Sequence, residues 1–333
     1  MCARECFERR TGLAGYLTCS PFLQGGVPKW PDPGVWGPIL APKGRSLSTT
    51  RRHRLGDMAG GSGRECRVKE IASGVFSIGP WGRSQTVVYA LCSEDSWVLV
   101  DAGWAGDGQR IRRAVESVFG PRSAPSAILL THVHPDHEGD SRALATDWGC
   151  PVYVSPQELP IAARDFSAMR DTAMPLDRWL VLPMMRAMGA RRRQAIFDSA
   201  TLAGVVRVLG TSTDIPGLRG WACLPTPGHT AGHVSFFRAA DRVLISGDAL
   251  VTAKIDTVAS LLLGRNGLSG PPWYTTWNSI AARASIHALA ALEPKVLAGG
   301  HGIPMSAPGT AEAINDFAQS IAAPTRAELD SMG

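Results

Sequence analysis

The densest group of side chains able to bind a metal is the segment 131–137, which reads THVHPDH. It follows the apolar run SAILL, which predicts a buried strand ending at this segment. Side chains two apart on a strand share a face, so His132 and His134 point the same way. The proline that follows breaks the strand, so Asp136 and His137 can turn back toward them. Imidazole and carboxylate ligands without thiolate predict a zinc, iron or manganese site rather than a structural cysteine site.

Three further motifs place a His or Asp directly after an apolar, strand-like run. TPGHTAGH (226–233) holds His229 in a Gly/Pro turn, SGDA (246–249) holds Asp248, and GGHG (299–302) holds His301. Each motif alone is typical of a hydrogen-bonded structural residue, and we interpret His233 in this way. Together the motifs put seven candidate ligands at strand ends, where α/β proteins build their sites. The candidates are His132, His134, Asp136, His137, His229, Asp248 and His301.

Strand and helix patterns alternate along most of the chain, which predicts an α/β fold. Predicted strands cover 75–79, 86–92, 96–103, 126–132, 150–155, 205–210, 219–226, 233–239, 242–249 and 294–300, and predicted helices cover 108–119, 139–148, 279–292 and 310–322. Residues 156–204 interrupt this alternation with a helical pattern, so we expect a helical insertion there.

Five motifs follow one another along the chain in the order VLVDAG, THVHPDH, TPGHTAGH, SGDA and GGHG. This order resembles the metallo-β-lactamase-fold hydrolase superfamily, in particular its glyoxalase II and lactonase-like branch. The resemblance covers residues 68–322. The resemblance implies a four-layer αβ/βα sandwich that binds two divalent metal ions, most often zinc, with iron or manganese as alternatives. It assigns His132, His134 and His229 to the first ion, Asp136, His137 and His301 to the second, and Asp248 to both. Asp101, in VLVDAG, matches the family's structural aspartate, which supports the ligand loops.

This ligand set predicts a hydrolase in which two ions share a hydroxide that attacks a lactone, ester or thioester. Asp136 and Asp248 are the candidate catalytic carboxylates, since either could accept the proton of the nucleophile. An aspartate at position 248 resembles the thioesterase, lactonase and phosphodiesterase branches rather than true β-lactamases. The alternatives are a mononuclear iron sulfur-dioxygenase of the same fold, a phosphodiesterase or nuclease, and a metal-stabilised binding protein without turnover.

The predicted insertion 156–204 holds five of the nine methionines. Because methionine adapts to irregular apolar surfaces, the insertion is either a lid over a moderately apolar substrate or a packed helical core. The candidate pocket residues are Met184, Met185, Trp273 and Tyr274, with Trp277 nearby. Aromatic residues in a Gly/Pro loop are also common as simple packing.

The net charge of +5 comes from the start of the chain, since residues 1–65 contain ten basic and five acidic side chains. The electroneutral remainder disfavours a nucleic-acid partner and favours a small-molecule substrate. Residues 1–65 are rich in Gly and Pro, which predicts a flexible extension or an over-called start with Met58 as the initiator. We therefore expect a hydrolase domain over 66–323 and a tail over 324–333.

Seven scattered cysteines give no disulfide framework, and the odd count favours a reducing compartment. No apolar run reaches the roughly 18 residues of a membrane span, and the first residues lack a signal-peptide core. The sequence thus predicts a cytoplasmic protein that does not bind membranes, and it leaves the oligomeric state open.

Overall fold

The computed structural model describes residues 67–93, 96–210, 215–257, 260 and 263–331. The predicted extension 1–65, with the alternative start at Met58, lies outside the described residues.

Among the described residues, the larger sheet contains seven strands in sequential order. They are β1 (Val68–Ala72), β2 (Val75–Trp81), β3 (Thr86–Ser93), β4 (Ser96–Val100), β5 (Ala127–Leu129), β6 (Val152–Val154) and β7 (Val206–Val208). β1 to β4 form an antiparallel meander, whereas β4 to β7 pair in parallel. This change follows from the connections, because short turns return a strand antiparallel and parallel neighbours need a crossover.

The smaller sheet has the order β13-β10-β9-β8. Its strands are β8 (Ala222–Pro225), β9 (Val234–Arg238), β10 (Val243–Gly247) and β13 (Val296–Gly299). A separate antiparallel pair joins β11 (Val251–Ala253) to β12 (Asn266–Ser269). The sequence patterns did not predict β1, β11 or β12.

The residues that the structure describes contain the following ten α-helices. They are α1 (Gly108–Phe119), α2 (Pro135–Glu138), α3 (Ser141–Trp148), α4 (Leu159–Ala162), α5 (Phe166–Asp171), α6 (Leu182–Ala187), α7 (Ala190–Ala200), α8 (Ser279–Ala290), α9 (Thr310–Gln319) and α10 (Arg326–Asp330). A π-helical turn covers Asp177–Val181 and a 3-10 turn covers Trp273–Thr275. The helices α4 to α7 lie between β6 and β7, where the helical insertion was predicted. Residues 326–330, expected to be part of a tail, form α10, whose Glu328 pairs with Arg283 at 2.7 Å.

The four layers are visible in how buried side chains divide. In β4 and β5, Val98, Val100 and Leu129 face the core between the two sheets. Leu99 and Ile128 face a second core shared with α1 and α3. A third core joins the smaller sheet to α8 and α9. Because both faces of these strands are covered, they appear in the sequence as continuous apolar runs. The predicted αβ/βα sandwich is confirmed. Within the part of the chain that is described, no helix is both long and apolar enough to span a membrane.

Candidate metal centre

The four ligand-bearing segments meet at one edge of the sandwich. The 131–137 segment follows β5, His229 lies between β8 and β9, and Asp248 and His301 follow β10 and β13. Five of the seven candidate ligands are buried, and His134 and Asp136 are half-buried. Buried strands therefore deliver side chains that are more than 160 residues apart in the sequence to one place.

The first cluster consists of His132, His134 and His229, whose candidate ligand atoms all lie within 4.8 Å of one another. The nitrogens His132 Nε2 and His134 Nδ1 are 3.0 Å apart. Both ring nitrogens of His229 are buried, and neither has a hydrogen-bond partner among the residues that the structure describes. Three imidazoles thus direct nitrogens at a common point.

The second cluster consists of Asp136, His137 and His301, with candidate ligand atoms again within 4.8 Å of one another. Asp136 Oδ2 lies 3.3 Å from His301 Nε2 and 3.8 Å from His137 Nε2.

Asp248 lies between the two clusters. Its Oδ2 is 3.4 Å from His229 Nε2 in the first cluster and 3.3 Å from His301 Nε2 in the second. Its Oδ1 is 3.5 Å from His137 Nε2. A single carboxylate therefore contacts both groups of imidazoles.

The polar atoms at the centre of this site lack ordinary partners. Within the described part of the chain, no hydrogen-bond partner is found for the buried atoms His137 Nε2, His229 Nε2 and Asp248 Oδ1, although buried polar atoms are nearly always satisfied. Gly300 closes the site, since a Cβ there would clash with Asp248 Oδ1. A set of imidazoles and carboxylates that converge on one place fits divalent cations.

Hydrogen bonds to the outer ring nitrogens set which nitrogen faces inward. His132 Nδ1 lies 3.0 Å from Thr131 Oγ1, and His301 Nδ1 lies 2.7 Å from the carbonyl oxygen of Ser84. His137 Nδ1 lies 2.9 Å from Asp101 Oδ2. When the outer nitrogen, Nδ1, carries the proton and donates a hydrogen bond, Nε2 keeps a lone pair for a metal.

Asp101 connects two of the ligands through its carboxylate. Besides holding His137, it accepts hydrogen bonds from the Thr131 amide at 2.8 Å and from Thr131 Oγ1. Thr131 in turn contacts His132. Asp101 has a φ of +62°, a left-handed conformation that Asp and Asn tolerate better than most residues. This geometry suits the supporting role predicted for Asp101.

His233 has no nitrogen available for a metal. Its Nδ1 donates to Thr226 Oγ1 at 2.8 Å, and its Nε2 accepts the backbone N–H of Asp248 at 3.0 Å. Burial lowers the pKa of His233 to about 3, so the ring is neutral, as these two bonds require. His233 therefore contacts Asp248 through that residue's backbone N–H.

Comparisons with known proteins agree with this fold. The family model described as the metallo-beta-lactamase superfamily matches residues 81–301. The chain belongs to the metallo-β-lactamase superfamily. It is 35% identical over 213 residues to the probable metallo-hydrolase YflN of Bacillus subtilis (strain 168), covering 63% of this chain and 77% of that protein.

A second relative is the probable metallo-hydrolase YqgX of the same strain. It is 27% identical over 230 residues, which cover 67% of this chain and 88% of that protein. The solved structure of the metallo-β-lactamase family protein TTHA1429 from Thermus thermophilus aligns with this chain with a TM-score of 0.52 and 20% sequence identity. The alignment covers 75% of this chain and 80% of that one, so the two proteins share the fold. The protein is a metal-dependent hydrolase of this superfamily.

Glu158 is a buried residue beside the candidate metal centre of this metallo-hydrolase, and the sequence did not single it out. Its side chain is buried, with Oε2 accepting the Val133 amide at 2.9 Å and Oε1 accepting the Gly232 amide at 3.0 Å. Val133 lies between two ligands, and Gly232 belongs to the loop of His229. One carboxylate thus joins the two loops that form the first cluster. A lone Glu after a strand carries no motif, so the sequence offered no signal for this role.

The electrostatics differ between the two clusters of the metallo-hydrolase. Burial lowers the pKa of His132 and His229 well below the usual range, so both are neutral, as metal ligands must be. Burial by itself would also lower the pKa of His301, but the carboxylates of Asp248 and Asp136 raise it to about 10. The same carboxylates raise the pKa of His137. Without metal, the second cluster is therefore a set of ion pairs in which protons supply the positive charge.

Some of the candidate pocket residues of the metallo-hydrolase line a cleft in the structure, and others do not. Trp273 and Trp277 line a cleft of about 410 Å³, whereas Met184, Met185 and Tyr274 are not among its lining residues. The side chain of Met184 is 55% exposed and that of Met185 is buried. Tyr274 Oη donates to the carbonyl oxygen of Ile255 at 3.3 Å. Of the four pocket candidates, only Trp273 lies on the cleft wall.

Proposed function

We propose that the protein is a dinuclear hydrolase that cleaves a lactone, ester or thioester, with zinc as the expected metal. The observation that carries the proposal is the position of Asp248, whose carboxylate lies within 3.5 Å of imidazole nitrogens from both clusters. A site for one ion would use the three candidate ligands of one cluster and leave those of the other cluster without a metal.

The donor set assigns the ligands as follows. His132, His134 and His229 would hold one ion, Asp136, His137 and His301 the other, and Asp248 both. Two divalent cations held by these residues would supply a Lewis acid and would lower the pKa of water enough to give a nucleophile at neutral pH.

The remaining work falls to the side chains. Asp101 and Thr131 fix the ring orientations of His137 and His132, so little reorganisation is needed when substrate arrives. Asp136 is the more open of the two catalytic carboxylates, with 17% of its side chain exposed against 5% for Asp248. We assign acceptance of the nucleophile's proton to Asp136, since substrate can reach it, and assign to Asp248 the role of holding the two clusters together.

The cleft lined by Trp273 and Trp277 supports an apolar substrate. Its volume of about 410 Å³ lies within the range of small-molecule sites, roughly 300–1,000 Å³. The Trp277 amide donates to the carbonyl oxygen of His229 at 3.0 Å, so the cleft wall contacts a ligand loop directly. Indole faces favour the burial of an apolar acyl or alcohol group.

Metal analysis combined with a hydrolysis panel tests this proposal. We expect close to two ions per chain, loss of ester hydrolysis on chelation, and recovery on adding zinc. His132→Ala should abolish activity and lower metal content while circular dichroism shows a retained fold. His287→Ala is the matched control, because His287 is a distant histidine bonded to the carbonyl oxygen of Ile321.

Several results would overturn the proposal. One iron per chain with oxygen uptake on a persulfide would indicate the sulfur-dioxygenase instead. Hydrolysis confined to phosphodiesters would indicate the phosphodiesterase or nuclease. A His132→Ala variant with the wild-type rate would remove the assigned centre from the reaction.

A further inference from the structure

Among the described residues, the lining of the cleft beside the candidate metal centre combines aromatic walls with one positive charge. Three indoles, those of Trp179, Trp273 and Trp277, line it together with the guanidinium-bearing residue Arg178. Trp179 and Trp273 are 85% and 68% exposed, which is unusual for such large apolar side chains. Exposed aromatic surface around a cleft is typical of a site that is covered by a ligand.

Arg178 is held in place but keeps its charge available. Its Nε donates to the carbonyl oxygen of Ala173 at 3.0 Å, which anchors the guanidinium on the cleft wall. The salt bridges between described residues do not include Arg178, and the described lining of the cleft contains no acidic side chain. An anion entering the cleft would therefore meet a positive charge without a competing carboxylate.

The start of α8 adds to this positive potential. Ser279, the first residue of this 12-residue helix, lines the cleft. The positive end of the helix dipole thus lies at the cleft wall, where it favours a negative group. The segment before the helix is tied to the metal centre by two backbone hydrogen bonds, Trp277 to His229 at 3.0 Å and Asn278 to Gly228 at 2.9 Å.

We propose that this cleft selects an ester, thioester or lactone substrate that carries a carboxylate on an aromatic or extended apolar group. The carboxylate pairs with Arg178, the apolar group packs against the indoles, and the scissile bond reaches the metal centre past Trp277. One guanidinium matches one negative charge, which favours a carboxylate over a doubly charged phosphate monoester. This substrate class rests on the proposed hydrolytic function.

Binding of product-like acids tests the cleft without turnover. We expect the metal-loaded protein to bind 4-phenylbutyrate more tightly than its neutral amide, 4-phenylbutyramide, in isothermal titration calorimetry. Arg178→Met should weaken binding of the acid by about tenfold, the loss expected for one partly exposed charge-assisted pair. Arg186→Met is the matched control, because Arg186 is also an exposed arginine of the helical insertion but does not line the cleft.

Hydrolysis of two matched esters extends the test to the reaction. The ratio of kcat/KM for mono-4-nitrophenyl glutarate to that for 4-nitrophenyl pentanoate should fall about tenfold in Arg178→Met and stay unchanged in Arg186→Met. Trp273→Ala should raise KM for both esters, since it removes apolar wall rather than charge.

The outcomes separate this inference from the function on which it rests. Equal binding of acid and amide by the wild type, or an Arg178→Met variant that binds the acid as the wild type does, overturns the inference even if both esters are hydrolysed. Hydrolysis of neither ester by the two-metal protein, with the acid still bound through Arg178, contradicts the hydrolytic function and leaves a carboxylate-binding cleft.

Discussion

Replacing Glu158 with glutamine tests whether one buried carboxylate holds the first metal cluster together. The carboxylate accepts two backbone amides, from Val133 and Gly232, at 2.9 and 3.0 Å. A hydrogen bond to a charged group contributes about 1.5–3 kcal/mol. Glu158→Gln keeps the shape of the side chain, but its NH2 group must face one of the two N–H donors, which then has no acceptor.

The expected cost follows from these two bonds. Leaving one buried donor unsatisfied costs about 1–3 kcal/mol, and the other bond loses its charge assistance, while removal of a buried charge offsets part of the loss. We expect the free energy of unfolding of the metal-free protein to fall by about 3 kcal/mol. For a domain of this size, that lowers Tm by roughly 6–12 °C. Since the two joined loops carry the first cluster, metal affinity should fall about 10–100-fold.

Thermal unfolding of the metal-free protein and chelator competition with zinc measure the two effects. Glu70→Gln is the matched control, because Glu70 is an exposed glutamate that accepts one backbone amide, that of Gly74, at 2.9 Å. It should change stability by less than about 0.5 kcal/mol. If Glu158→Gln matches this control in both Tm and zinc affinity, the joining role is refuted. A loss of stability with unchanged zinc affinity would limit Glu158 to supporting the fold.

Three further predictions concern the ligand support, the insertion and pH. Asp101→Asn should retain the backbone conformation at φ +62° but remove the negative charge that orients His137. Zinc affinity, measured by chelator competition, should therefore fall about 10–100-fold. An unchanged zinc affinity would contradict this prediction. Met185 is buried, so Met185→Ala should lower the free energy of unfolding by about 2–5 kcal/mol in denaturant unfolding. Met184 is 55% exposed, so Met184→Ala should lower it by less than about 0.5 kcal/mol. Equal losses in the two variants would contradict this prediction. Because the pKa of His301 is about 10 without metal, binding of the second ion should release protons near neutral pH, and its affinity should rise about tenfold per pH unit for each proton released. The first ion, held by imidazoles that are already neutral, should show little change, and calorimetry in buffers of different ionisation enthalpy would detect the difference.

Most of the candidate metal centre was predictable from the sequence because its candidate ligands occupy short motifs beside strong strand signals. His132 and His134 lie directly after a continuous apolar run, and such a run is a clear local pattern. The later motifs are weaker individually, but their order along the chain matched a known family. The strand and helix order was also largely predictable, since it depends on periodicity over five to fifteen residues.

The elements that the sequence missed depend on partners distant in the chain. β11 and β12 are three and four residues long, and the partner that each finds lies outside its own segment, so neither gives a distinct pattern. Glu158 and Arg178 are single charged residues without a motif, and nothing local distinguishes them from solvated surface residues. Their roles follow from what other loops bring to them.

The sequence by itself determined which side chains could bind metal and that they follow buried strands, since residue type and hydrophobic period are local properties. Only the tertiary structure decided that Asp248 contacts both clusters, that Glu158 joins the two ligand loops, and that the cleft is walled by indoles and Arg178 rather than by Met184 and Met185. These are contacts between segments far apart in the chain. They depend on how the two sheets pack and how the insertion lies against them, which no local pattern records.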